Sequence, residues 1–203
     1  MKTELNLINC LKAHHQKPRI NLVPITNIQV VTDYLRRNHL DLCNLVLRNQ
    51  IMNITYQSML DFKAASFQGN KKARAFTMSL QKHLALGIDL YSETLLEEII
   101  DEVKLDAHCF WNDRQSQLAK DLCEADRRLA INLGVTKTPS TVFVDYRRDP
   151  NGEGVLVSGK VTTDLINQIL DGPDCDLQQI RPEHQQTKLS PMNSHQHQIL
   201  QLV

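Results

Sequence analysis

This 203-residue chain contains no Cys-x-x-Cys, although it has five cysteines: Cys10, Cys43, Cys109, Cys123 and Cys175. Dithiol exchange needs a thiolate of lowered pKa, usually at a helix N-terminus, with a resolving thiol nearby. The chain as written carries no such pair. The odd count and irregular spacing also fit no disulfide framework, so reduced thiols in a reducing compartment are expected. No apolar run reaches the length that spans a bilayer. Residues 1–15 mix charges, Asn and His with their leucines and form no signal-peptide core, so the expected location is the cytoplasm and no membrane partner is expected. Charge of one sign is missing too: 23 basic and 23 acidic residues cancel, which predicts neither a nucleic-acid footprint nor an anionic surface as partner. The basic pieces Lys71-Lys72-Ala73-Arg74 and Arg147-Arg148 are short and read as solvated faces. Gly-rich phosphate loops and nucleophile elbows are absent as well, so no cofactor is expected.

What is present is a mixed α/β order. Residues 5–15, with Leu5, Ile8 and Leu11 at helical spacing, predict an amphipathic helix that Lys17-Pro18 ends. Residues 20–25 predict a short strand stopped by Pro24. Helices are expected over 28–38, 56–67, 71–84 and 93–103, with residues 42–47 as a further helix or a loop packed on the core. Ser92 is a candidate N-cap. Asp113 is expected to cap the longest helix, 114–133, whose stripe is Leu118, Leu122, Ala125 and Leu129, and Gly134 closes it as a C′ residue. Strands at 141–146 and 154–158 flank Asp149-Pro150-Asn151-Gly152, turn chemistry that predicts an antiparallel hairpin. A last helix, 162–170, ends at Gly172-Pro173. The tail, 173–203, is rich in Gln, His, Pro and Ser and is expected to be disordered or loosely attached.

The stretch Gly134-Val135-Thr136-Lys137-Thr138-Pro139-Ser140-Thr141-Val142-Phe143-Val144-Asp145 is the most informative. Proline cannot donate to a ladder, so at a strand entrance it belongs at an edge, a bulge or a cis turn. A cis Thr138–Pro139 bond would present the backbone of Thr138 to a groove instead of to the sheet. Lys137, Thr138 and Pro139 are therefore the candidate peptide-binding residues. Cys10, on the first helix, is the candidate residual thiol, although it sits too far from the helix start to gain from the dipole. Cys109 and Cys123 read as core thiols, because Cys109, His108 and Trp111 match no metal-ligand spacing. Cys175 reads as the exposed one. His14-His15 suits a helix C-terminus, and His195 with His197 lacks further ligands. No catalytic residue and no metal ligand is assigned.

The order of elements resembles a thioredoxin-like α/β fold with an inserted α-helical subdomain, as in the DsbA-like family. The segment Phe62-Lys63-Ala64-Ala65-Ser66-Phe67-Gln68-Gly69-Asn70-Lys71-Lys72-Ala73-Arg74-Ala75-Phe76 is similar to the helix-Gln-Gly-Lys-helix signature of its cytosolic ClpXP-adaptor branch, and residues 134–139 match the family's cis-proline loop. The resemblance covers about residues 5–170. It implies a thioredoxin-like domain from 1–27 and 113–172 and a helical insertion at 28–112. It also implies peptide binding at the cis-proline loop, with Lys71, Lys72 and Arg74 bordering the same side. The family's first strand, with its Cys-x-x-Cys, has no counterpart before residue 5. That strand lies between those expected at 20–25 and 141–146, and its loss would leave unpaired backbone groups. An incomplete N-terminus is the preferred explanation; the tail segment 198–203 or a partner filling the slot are the others. The leading expectation is a polypeptide-binding adaptor, whose partners the resemblance names as an Spx-type regulator and ClpXP. The alternative is a thiol-disulfide oxidoreductase or isomerase whose Cys-x-x-Cys lies upstream. A kappa-type glutathione-transferase relative is weaker, since it calls for a serine near the first helix and none precedes Leu5.

Overall fold

The β-branched run after Pro139 is the spine of a five-stranded sheet. The computed structural model describes residues 19–144, 154–159, 161–171, 186–189 and 198–202. The strands are β1 (Arg19–Val23), β2 (Ser140–Val144), β3 (Gly154–Ser158), β4 (Gln186–Leu189) and β5 (Gln198–Leu202), in the spatial order β1-β5-β2-β3-β4. Only β1 and β5 run parallel; the other neighbours are antiparallel. The expected helix at 5–15 and the turn at 149–152 lie outside the described residues, but the strands flanking that turn do pair as an antiparallel set.

The position between β1 and β2 is filled by the chain's own β5. Arg19 faces Gln198 and Val23 faces Leu202 on one side, while Ser140 faces Leu202 and Val144 faces Gln198 on the other. Of the explanations weighed, this is the tail segment filling the slot, and it corrects the expectation of a loose tail for Gln186–Leu189 and Gln198–Leu202. The physical reason is the ladder: β1 and β2 would otherwise each present a row of unpaired amides and carbonyls. Alternation then decides the sheet's core. On β2, Ser140 and Val142 point to one face and Thr141 and Phe143 to the other, and all four are buried. Both faces of the sheet are thus covered at this strand. The helix α7 (Thr163–Asp171) belongs to the same unit, buries Leu165 and Ile166, and starts where Thr162 Oγ1 accepts from the Leu165 amide at 3.4 Å.

The chain divides into two units, one from Met1–Val23 with Asn132–Val203 and one from Pro24–Ile131. The second is helical: α1 (Ile28–Arg37), α2 (Leu45–Phe67), α3 (Asn70–Leu84), α4 (Glu93–Glu102), α5 (Ala107–Gln115) and α6 (Gln117–Asn132). Its boundary differs from the expected 28–112, because α6 groups with the helices rather than with the sheet. Asn27, Asn44, Ser92 and Asp106 each accept from the amide three residues on, which fixes where α1, α2, α4 and α5 begin. Phe76 and Phe110, both fully buried with centroids 5.4 Å apart, anchor the core between α3, α4 and α5.

The expected helix at 114–133 is two helices. Ser116 adopts extended backbone (ψ 151), and its hydroxyl accepts from the Ala119 amide at 3.1 Å, so the break carries its own cap. The buried stripe is also one residue round from the expected one: Ala119, Cys123 and Ala130 are buried, while Leu118 is 57% exposed. Ala119 and Cys123 meet Met59 and Leu60 of α2.

The Gln68-Gly69 pair has a structural task. Gly69 sits at φ 121, in the region that favours glycine, and separates α2 from α3. Gln68 clamps the start of α5, its Nε2 donating to Asp106 O at 2.9 Å and its Oε1 accepting from the Asp106 amide at 2.7 Å.

Candidate functional site

Gly134, at φ 67, turns the chain out of α6. Val135 is buried and anchors the loop, Thr136 and Lys137 are exposed, and Thr138 and Pro139 are half-buried before Ser140 disappears into the sheet. The Thr138–Pro139 bond is cis. Two hydrogen bonds hold the loop from inside. Ser140 Oγ donates to Lys137 O at 2.7 Å, and the Gly159 amide donates to Pro139 O at 2.8 Å. The second bond closes the β3 side. On the β5 side the ladder runs as far as Ser140 opposite Leu202. Among the described residues Thr138 makes no backbone hydrogen bond. The loop therefore brings together the three residues that the sequence singled out, Lys137, Thr138 and Pro139, and leaves the middle one with a free amide and carbonyl at the surface.

Among the described residues, Cys109 and Cys123 are placed where their thiols are raised. Cys10 and Cys175 lie outside the described residues, as do His14, His15, His195 and His197. Cys123 is buried, and burial pushes its thiol up to about 11, with the Lys63 ammonium pulling it part way back. Cys109, expected in the core, is instead exposed at the first turn of α5. Its thiol is raised by a hydrogen bond to the Asp106 carboxylate and by that carboxylate's charge. Both shifts run against nucleophilic use. Trp111 packs edge-on against Phe110 and carries the Arg114 guanidinium 5.5 Å above its ring, so it is part of the helical core's rim. Lys72, read from the sequence as part of a solvated face, donates to Lys104 O at 2.6 Å.

The helical unit hides two ion pairs that the sequence reading missed. Asp61, fully buried on α2, accepts from Tyr91 Oη at 2.5 Å and from Arg114 Nε at 2.5 Å, and Arg114 Nη2 donates to Gln57 Oε1 at 2.8 Å. Burial raises the Asp61 carboxyl above the usual carboxylate range, while Arg114 and Tyr91 oppose that shift. Burial and the neighbouring Asp61 charge in turn hold the Tyr91 phenol up. Lys63 meets Asp126 at 2.5 Å, tying α2 to α6. The available signal was the placement of Asp61 and Lys63 inside the apolar run of Met59, Leu60, Phe62, Ala64 and Ala65. Both sites are closed by their own partners, so they hold helices together.

Comparison with known proteins agrees with this architecture. The chain is 29% identical over 124 residues to the ClpXP adapter protein SpxH of Bacillus subtilis, covering 61% of this chain and 41% of that protein. It is 29% identical over 126 residues to SpxH of Bacillus licheniformis, covering 62% and 41%, and 26% identical over 118 residues to SpxH of Staphylococcus aureus, covering 56% and 44%. The chain thus spans less than half the length of these relatives. No solved structure matches it significantly. Among the described residues no helix is long and apolar enough to cross a membrane. A thioredoxin family model matches residues 1–168, and with the sheet and its Thr138–Pro139 loop in place the chain belongs to the thioredoxin family.

Proposed function

We propose that this protein is a polypeptide-binding adaptor that holds an extended partner segment at the Lys137-Thr138-Pro139 loop and presents it to a ClpXP-type protease. One observation carries the reading. Thr138, half-buried beside the sheet's central strands, has a free amide and carbonyl among the described residues. An extended peptide satisfies both by strand addition, and main-chain hydrogen bonds then supply affinity without any sulfur chemistry. The similarity to SpxH, named a ClpXP adapter, points the same way, and it suggests an Spx-type regulator as the segment's source. Among the described residues, Cys109 and Cys123 offer a redox reading no support, because both thiols are raised.

The test is a reconstituted degradation assay with hydrogen exchange alongside it. Adding the protein should accelerate ClpXP degradation of an Spx-type regulator, and the same regulator should slow exchange of the Thr138 amide. Unchanged degradation removes the adaptor role; a bound regulator that leaves the Thr138 amide as fast as before removes the loop.

A further inference from the structure

We propose that the apex between α1 and α2, where Leu40, Leu42, Leu45 and Val46 stand exposed beside Arg36 and Arg37, docks an acidic, apolar-bearing segment of the polypeptide that the adaptor engages. This contact rests on the adaptor reading and gives the same guest a second hold, on the helical unit.

The need for a second hold is a matter of size. Strand addition at Thr138 supplies two main-chain hydrogen bonds, each worth only about a two- to tenfold gain in affinity. Specific interfaces bury about 1,200–2,000 Å² in total, so a guest must cover apolar surface elsewhere.

The apex offers that surface. Residues 36–46 are exposed without a break, although the sequence allowed a loop packed on the core at 42–47. The core beneath, Val31, Leu35 and Ile51, takes in Leu47, whereas Leu45 and Val46 of the same turn are 71% and 79% exposed. Hydrogen bonds hold the backbone that presents them. The Leu40 amide donates to Leu35 O at 2.9 Å, the Cys43 amide to Asp41 Oδ1 at 2.8 Å and the Leu47 amide to Asn44 Oδ1 at 3.0 Å. Arg48 fastens the loop to α1, its Nη1 donating to Leu42 O at 3.1 Å and its Nη2 to Thr32 Oγ1 at 3.0 Å. A frame fixed in this way lowers the ordering cost that a partner meets on binding.

Charge selects the occupant. Across residues 36–48 the cations Arg36, Arg37 and Arg48 stand against one carboxylate, Asp41. Asp33, one turn earlier, accepts from Arg36 Nη1 at 3.4 Å, an exposed pair that leaves the cation open to a competitor. The complementary segment carries Asp or Glu beside Leu, Ile or Phe. A second copy of the chain would set arginine against arginine. A lipid layer is disfavoured by the exposed Asp41 between Leu40 and Leu42, because a carboxylate is costly to desolvate, whereas a protein partner leaves it at a wet rim.

The probe is a fluorescent Spx-type regulator titrated with the full chain. Leu45→Ser with Val46→Ser should weaken binding about tenfold or more, while Leu45→Met with Val46→Ile, which keeps the apolar surface, should bind as the native chain does. Arg36→Gln with Arg37→Gln should weaken binding about threefold at low salt and lose that difference at high salt. The bound regulator should also shield the exposed Cys43 thiol from maleimide, with the exposed Cys109 on α5 as the internal reference. No complex with any form of the chain overturns the adaptor reading and this contact with it. A complex that the serine pair forms as tightly as the native chain, or one in which Cys43 reacts as fast as in the free chain, overturns the contact alone. Co-sedimentation of the native chain with phosphatidylserine–phosphatidylcholine vesicles, lost in the serine pair, would give the apex to an anionic membrane and overturn the proposal.

Discussion

Asp61 carries more of the helical unit's stability than any charge count suggests. It is fully buried, and it anchors Tyr91 and Arg114 by two 2.5 Å hydrogen bonds. Asp61→Ala leaves the guanidinium with no counter-charge in a mostly dry site, a change that costs about 3–5 kcal/mol in such pairs. Asp61→Asn keeps an acceptor for Arg114 and should cost less, about 1–2 kcal/mol. The pH dependence has a definite sign. Because burial raises the folded carboxyl above its unfolded value of about 3.9, its contribution is complete at low pH and is lost as pH rises through the folded value. The stability difference between the native chain and Asp61→Asn should therefore shrink from about pH 4 toward neutrality, as measured by urea unfolding across that range. A difference that grew would show that the Arg114 charge, not burial, dominates. The sequence marks Asp61 only by its place in an apolar run; its partner was not legible, since Arg114 lies 53 residues away and no local pattern pairs them. The Lys137, Thr138 and Pro139 loop was legible for the opposite reason: a proline at a strand entrance constrains its own neighbours.

At the scale of elements, strong local signals placed most boundaries. β3 came out as Gly154–Ser158 and α4 as Glu93–Glu102, both within a residue of expectation; for α4 the Ser92 cap fixes the start locally. α2 begins at Leu45, far earlier than the expected 56, since Asn44 caps a run with no apolar stripe to read. α6 was misread in its facing for a related reason: the large leucines drew the stripe, while contact with α2 selected Ala119 and Cys123. That contact is pinned by Lys63 and Asp126, whose side chains are only 10% and 15% exposed. Lys63→Ala strands the Asp126 carboxylate between the two helices and should cost about 3 kcal/mol. Replacing the pair together, Lys63→Met with Asp126→Leu, should return stability to within about 1 kcal/mol of the native chain, because apolar side chains of similar volume need no counter-charge. Thermal unfolding of the two single variants and the double variant checks this, and a double variant as unstable as Lys63→Ala would mean that the ion pair contributes net stability.

The two units differ in how their contacts are spaced along the chain. The helical unit is one continuous stretch, Pro24–Ile131, whose helices pack mainly on sequence neighbours. The sheet is gathered from stretches as far apart as Arg19–Val23 and Gln198–Leu202, so the β1–β5 and β2–β5 ladders each close a long loop before any hydrogen bond forms, while β2–β3 is local. Sequence reading recovered β1, β2 and β3 singly, but it named the tail segment 198–203 only as one alternative for the central position and missed β4. Period and turn signals are local, whereas the pairing of residues 19 and 198 is decided by which backbone groups would otherwise stay unpaired. A proline in β5 tests this difference. Gln201→Pro removes the amide of a central-strand residue flanked on both sides, a position that proline does not tolerate. Amide exchange should then become fast at Leu22, Val142 and Leu156, while amides around Phe76, Ile99 and Phe110 stay protected, because the helical unit's core residues Phe76, Leu96, Ile99 and Phe110 are supplied within Pro24–Ile131 alone. If protection in the helices fell by the same factor as in β2, the chain would be unfolding as a single cooperative body, and the stability of the helical unit would depend on the strand ladder.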